Sequence, residues 1–126
     1  MNDLSRRTQI AVLWFVQTVN YVSLILITQI ESRLAGTPEP ESDVLLITIF
    51  FFIPCLLAWL AFVLKPAVGR WLHVVFGALF ASLKLVVTVG GLASDESFGY
   101  LFNEVWGFLA AVLLVWTAWK LAPAQD

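Results

Sequence analysis

The sequence predicts an all-α fold, a four-helix transmembrane bundle with both termini on the cytoplasmic side. Three observations carry that expectation. Of 126 residues, 60% are hydrophobic and 13% charged, against about 45–50% apolar and about 25% charged in an ordinary soluble domain. The apolar residues gather in four blocks of roughly 20, the length of helix that crosses a hydrocarbon core about 30 Å thick. All but two of the Lys, Arg, Asp and Glu side chains fall in termini, connectors or block ends. Four such blocks take up most of the chain, so 1–126 reads as one transmembrane domain with no separate soluble domain beside it.

The first span is expected over 8–30. Arg6 and Arg7 ahead of an apolar stretch resemble the start of a signal peptide, but the stretch outruns an h-region and no small-x-small site follows, which predicts an uncleaved span. Within it Gln17, Asn20 and Thr28 fall on nearly one helical face, with Tyr21 beside them, and should point into the bundle rather than at lipid. Between 31 and 43, Gly36, Pro38 and Pro40 favour a turn.

The second span is expected over 44–64. Pro54 near its middle removes a backbone donor and crowds the carbonyl of Phe50, which predicts a kink. Phe50, Phe51 and Phe52 cover more than one face, so at least one ring should reach lipid. Lys65, Pro66, Gly69 and Arg70 predict a tight basic turn, followed by a third span over 71–89 that stops at Gly90 and Gly91. A short acidic connector from Ser94 to Ser97 leads into the fourth span over 98–119, closed by Lys120 and Pro123.

Lys and Arg near span ends are retained on the cytoplasmic side. Arg6, Arg7, Lys65, Arg70 and Lys120 lie at the two termini and the second connector, whereas Arg33 alone lies in the first or third. Both termini should therefore be cytoplasmic. Glu31, Glu39, Glu41, Asp43, Asp95 and Glu96 collect as a solvated acidic rim on the opposite side, and Trp71, Trp116 and Trp119 belong at the cytoplasmic interface, where indole rings are favoured.

The two charges left inside spans are Lys84 and Glu104. Such a residue costs about 2.5–3.5 kcal/mol near the bilayer centre on insertion scales, so it needs a reason. Both are expected about 9–12 Å below the acidic surface, at matching depth. If they face each other in an antiparallel hairpin, Ala81 faces Gly107, Gly77 faces Ala111 and Thr88 faces Tyr100. Positions 77, 81, 84 and 88 then form one helix face and 100, 104, 107 and 111 the other, each with the small-xxx-small spacing that lets membrane helices approach closely. Two roles stay open at this point. The pair orients two helices, or it lines a site or path for a ligand, ion or proton together with Tyr100, Thr88, Gln17 and Asn20.

Other chemistry finds little footing. No basic run suits nucleic acid. Cys55 is the single cysteine and His73 the single histidine, so neither a thiolate cluster nor a metal or haem site is expected, and His73 should hydrogen-bond near the interface. No phosphate loop, nucleophile elbow or paired carboxylates on a span are present. No cofactor is expected and catalysis is disfavoured, with a lipid- or quinone-modifying enzyme the least supported reading.

Leu13-Trp14 with Asn20-Tyr21, Ile53-Pro54 leading to Leu64-Lys65-Pro66, Arg70-Trp71-Leu72 with Phe76-Gly77, and Val115-Trp116-Thr117-Ala118-Trp119-Lys120 resemble a family of small bacterial four-span membrane proteins known only as a domain of unknown function. The resemblance covers all four spans and implies a bacterial inner membrane location with this topology; it brings no reaction or substrate. Where the family carries acids in span one and before the span-two proline, this chain has Ile25 and Phe52, and its span-four acid stands at Glu104, so a polar site shared with the family is not implied. Two functional classes follow. One is a small membrane protein that binds or transports a small molecule, ion or proton, which in so thin a bundle calls for a homo-oligomer. The other is a structural or accessory subunit of a larger membrane complex. In both, the lipid bilayer is the surrounding partner.

Overall fold

A computed structural model describes residues 2–36, 41–94 and 98–121. Four helices follow one another: α1 (Asp3–Ala35), α2 (Glu41–Val63), α3 (Pro66–Ala93) and α4 (Phe98–Trp119). The side chains of 41–44, 46 and 47 are not among those described, nor are Pro38, Glu39, Pro40, Asp95, Glu96 and Pro123, so the first connector's prolines, most of the acidic rim and the closing proline lie outside the described residues.

Helix α1 starts earlier than expected because the Asn2 side chain accepts the Ser5 amide at 2.8 Å, a side-chain N-cap. It ends where Gly36 adopts φ 71°, the left-handed conformation that suits glycine at a C-cap. Its 33 residues span about 50 Å at 1.5 Å per residue, so its ends extend past a hydrocarbon core about 30 Å thick. Pro54 is buried inside α2, which continues beyond it to Val63.

Helix α3 corrects the sequence reading at both ends. Pro66, Gly69 and Arg70 belong to its opening turns rather than to a turn between helices, with proline at the first position, where its missing N–H costs nothing. The α2–α3 junction is therefore only Leu64 and Lys65. At the other end Gly90 and Gly91 do not stop the helix. It runs to Ala93, and Ser94 caps it by donating its amide to the Gly90 and Gly91 carbonyls and its hydroxyl to Gly90. An interior glycine costs only about 1 kcal/mol, which a satisfied terminus and lipid surroundings outweigh. Helix α4 matches its expected bounds.

Helix α1 lies along α2 and α4, and α3 lies along α4, whereas α2 and α3 touch at few points. One end is tied by basic side chains. Arg7 donates to the carbonyls of Ala61 (3.0 Å), Phe62 (3.3 Å) and Leu64 (2.7 Å), occupying the orphan acceptors that end α2. Arg6 donates to the Lys120 carbonyl after α4. The N-terminus, the α2–α3 junction and the end of α4 thus meet at a single basic end. Arg70 stacks there over Trp119 at 4.2 Å from the ring centroid, and Trp71 packs edge-on against Trp119.

Polarity is inverted relative to a water-soluble bundle. Gln17, Asn20, His73, Lys84, Asn103 and Glu104 are buried, while Val12, Phe15, Phe52, Leu56, Leu79, Val86, Leu109 and Leu113 lie exposed. Such a surface is unfavourable in water and costs nothing against hydrocarbon. Three helices, α1, α3 and α4, are long and apolar enough to cross a membrane; the described apolar stretch of α2, Thr48–Val63, is shorter. These features make the chain a small helical membrane protein. Of the three consecutive phenylalanines, Phe52 reaches the outside, whereas Phe50 stacks on Tyr21 and meets Phe80 edge-on.

Candidate functional site

Helix α3 buries Gly69, His73, Gly77, Phe80 and Lys84, a spacing of fours and threes that keeps one face inward. Helix α4 buries Asn103, Glu104, Gly107, Ala110, Ala111, Leu114 and Ala118. Where these faces meet, Lys84 Nζ lies 3.1 Å from Glu104 Oε1, with the two side chains 2% and 1% exposed. The ammonium also sits 4.4 Å from the centroid of the Tyr21 ring, so an aromatic face from α1 supplies part of its surroundings. The Lys84 carbonyl accepts the Thr88 hydroxyl at 2.7 Å, a bond within α3.

The pair forms part of the wall of a cavity of about 200 Å³ lined by Tyr21 and Leu24 from α1, Phe50 from α2, Leu83, Lys84 and Val87 from α3, and Tyr100 and Glu104 from α4. All four helices contribute. Its walls are apolar except at the ion pair and the tyrosines. The buried Tyr21 hydroxyl has no hydrogen-bond partner among the described residues, although buried hydroxyls are ordinarily paired.

Toward the basic end from this cavity, α1 and α4 are joined by amides. Gln17 Nε2 donates to the Gly107 carbonyl at 2.8 Å, Asn20 Nδ2 to the Asn103 carbonyl at 2.6 Å, and Asn103 Nδ2 back to the Asn20 carbonyl at 3.3 Å. Gln17 and Asn20 are therefore engaged with α4 backbone and do not line the cavity, while their Oε1 and Oδ1 atoms are without partners among the described residues. Thr28, half-buried, bonds the Leu24 and Ile25 carbonyls of its own helix through its hydroxyl.

The small residues work differently from the expected hairpin. A Cβ on Gly107 would lie 2.7 Å from Asn20 Oδ1, so the nearest neighbour this glycine admits is α1. A Cβ on Gly77 would lie 2.8 Å from both Leu114 Cδ2 and Val115 Cγ2, so its nearest neighbours stand about one turn beyond Ala111. The reason is reach. Lys and Glu side chains are long enough to meet across a shifted register, so the pair does not determine which backbone positions face each other. Ala111 is fully buried and Ala81 packs at the edge of the core.

His73 departs most from expectation. It is fully buried, and Trp14 Nε1 donates to its Nδ1 at 2.9 Å. Trp14, itself fully buried, packs edge-on against Phe80. Accepting at Nδ1 puts the neutral imidazole proton on Nε2, which is also without a partner among the described residues. That tautomer cannot ligate a metal or haem iron through Nε2. Counting back three turns from Lys84 on α3 reaches His73, so the inward face was legible; the nearby Trp71 pointed to the interface instead.

No group of three or more metal-ligating side chains occurs among the described residues. No family model, curated protein or solved structure matches this chain.

Proposed function

We propose that this protein binds a small, electrically neutral molecule within the membrane at the Lys84–Glu104 pair. The observation that carries the reading is a fully buried ion pair set in the wall of an otherwise apolar cavity that all four helices line. Charges so placed are functional by default in membrane proteins. A pair that already neutralises itself favours a neutral ligand with hydrogen-bonding atoms over an inorganic ion, which would have to displace Lys84 or Glu104 from its partner. The cavity volume of about 200 Å³ is below the roughly 300–1,000 Å³ of drug-sized sites, so the ligand is small. The sparse packing between α2 and α3 favours entry from the lipid. Proton or ion movement along the same pair is the transport form of this reading.

The setting belongs to the same proposal. Five basic residues at the termini, the α2–α3 junction and the start of α3 support cytoplasmic termini. The stretches described above support kinship with the small bacterial four-span family and an inner-membrane location. Assembly into a homo-oligomer would enlarge the lipid-shielded space around so thin a bundle.

The deciding experiment is purification in native lipid followed by intact mass measurement of everything retained. A small molecule that stays with the wild type and leaves both Lys84→Met and Glu104→Gln supports the reading. A stoichiometric protein partner, with no small molecule, replaces it with an accessory-subunit role. Flux in proteoliposomes that falls on neutralising either residue would add transport.

A further inference from the structure

We infer that the basic end carries a binding site for one anionic phospholipid, its phosphate between Arg6 and Lys120 and an acyl chain along the α3–α4 groove. The site is independent of the Lys84–Glu104 cavity.

Two adjoining surface features carry this. The first is a cleft of about 320 Å³ between α1 and α4, lined by Arg6, Gln9, Trp116, Thr117 and Lys120. It holds two cations and no carboxylate among the described residues. Arg6 donates there to the Lys120 carbonyl, and a guanidinium carries five N–H groups in all. The Lys120 ammonium is fixed over the Trp116 ring at 4.5 Å. Two cations lining one cleft favour an anion between them, and a phosphodiester accepts from both. Two other basic residues at this end are differently employed. Arg7 is spent on three carbonyls of the α2 terminus, and Arg70 is stacked on Trp119.

The second feature is a groove of about 390 Å³ on the outer surface of α3 and α4, where Ala78, Ala81 and Ser82 leave a furrow beside Val112, Val115 and Trp119. Trp116 is a wall of both cleft and groove. A cationic cleft that meets an apolar furrow at a tryptophan, on a surface facing hydrocarbon, has the polarity of a phospholipid: anionic head, apolar chain, and an indole at the level between them. Phosphatidylcholine carries no net negative charge and lacks the complement to two cations. Free phosphate has the charge but leaves the groove unused.

The test uses the full chain in neutral detergent, titrated separately with phosphatidylglycerol, phosphatidylcholine and inorganic phosphate, and read by native mass spectrometry and thermal unfolding. Phosphatidylglycerol should be retained as one tightly held copy per chain and raise the melting temperature, with no such effect from the other two. Lys120→Gln keeps the carbonyl that Arg6 uses, so it tests the charge without the helix tie, and it should weaken phosphatidylglycerol binding about fivefold, the worth of one basic residue at an anionic surface. Arg6→Gln with Lys120→Gln should bring binding down to the phosphatidylcholine level. Ala78→Leu, filling the furrow, should weaken binding without changing charge. Lys65→Gln, at the same end but outside the cleft, should leave it unchanged. Equal retention of the two lipids, unchanged binding in Lys120→Gln, or an equal loss in Lys65→Gln overturns the site. Stabilisation by phosphate alone that Lys120→Gln abolishes overturns its assignment to lipid.

Discussion

Neutralising one member of the Lys84–Glu104 pair should be far more harmful than neutralising both. At 3.1 Å, Coulomb's law with an effective dielectric near 20 gives an attraction of about 5 kcal/mol, and that is what a single substitution removes while the other charge stays buried. Measured losses on breaking buried pairs run about 3–5 kcal/mol. Lys84→Met also gives up the ammonium's seat over Tyr21, worth about 0.5–2 kcal/mol, though a thioether beside the ring recovers part of it. Each single variant should therefore lose about 3–5 kcal/mol. In Lys84→Met with Glu104→Gln no charge remains to be desolvated, and the methionine fills most of the lysine stem's volume, so the double variant should fall within about 2 kcal/mol of wild type. The coupling energy is then at least about 4 kcal/mol. Reversible unfolding of the four proteins by SDS titration in mixed micelles, followed by tryptophan fluorescence, measures it. If the single losses add to the double within about 0.5 kcal/mol, the side chains are not coupled and the electrostatic account of this site fails.

Three further outcomes test the surrounding packing. Gly107→Ala places a methyl 2.7 Å from an Asn20 amide already pinned to the Asn103 carbonyl, so it should destabilise by about 1–3 kcal/mol, whereas Gly90→Ala, with nothing within 4 Å of its Cβ, should be neutral or stabilising; equal melting temperatures for the two would contradict the close α1–α4 approach. Trp14→Phe strands the buried Nδ1 of His73 and should cost about 1–3 kcal/mol, most of it regained by adding His73→Leu, as read by the same unfolding assay. Arg7→Gln removes the charge-assisted bonds to the end of α2, and hydrogen exchange should quicken across 60–64 while α4 amides keep their protection.

The elements most legible in the sequence were those governed by one-dimensional rules. Block length and charge placement give four helices, because a hydrocarbon core admits few alternatives. Lys84 and Glu104 stood out as the charges that no connector explains, and they do meet. The errors share a different origin. Gly90 and Gly91 read as a stop, since propensity is all a linear sequence shows, but Ser94 satisfies the terminus three residues later. Spacing alone pairs the small residues across the α3–α4 hairpin, because chain neighbours are the obvious partners, yet Gly107 opens to α1, a non-sequential contact that spacing on α4 cannot reveal. Thr28 shares a helical face with Gln17 and Asn20, but a threonine hydroxyl can bond its own helix, as it does here, and carries no obligation to reach a neighbour.

The arrangement of ties along the bundle bears on why the cavity lies where it does. Cross-helix polar bonds run from the basic end, through Arg7 to α2 and Arg6 to the end of α4, to the Trp14–His73 bond, the Gln17 and Asn20 amides and the Lys84–Glu104 pair. Every one of these except Arg7's joins α1, α3 and α4 to one another. Arg7 ties the C-terminal end of helix α2, the Thr18 hydroxyl lies 3.6 Å from the Cys55 thiol near its middle, and apolar side chains of α2 pack against α1. In lipid that packing has little hydrophobic drive, because hydrocarbon is as apolar as the side chains it would replace, so polar bonds and close fit decide which helices stay together. Phe50 of α2 forms a wall of the cavity, at the end away from the Arg7 tie. If apolar packing holds α2 less firmly than polar bonds hold α4, hydrogen exchange in α2 around Phe50 should outpace that in α4 around Glu104.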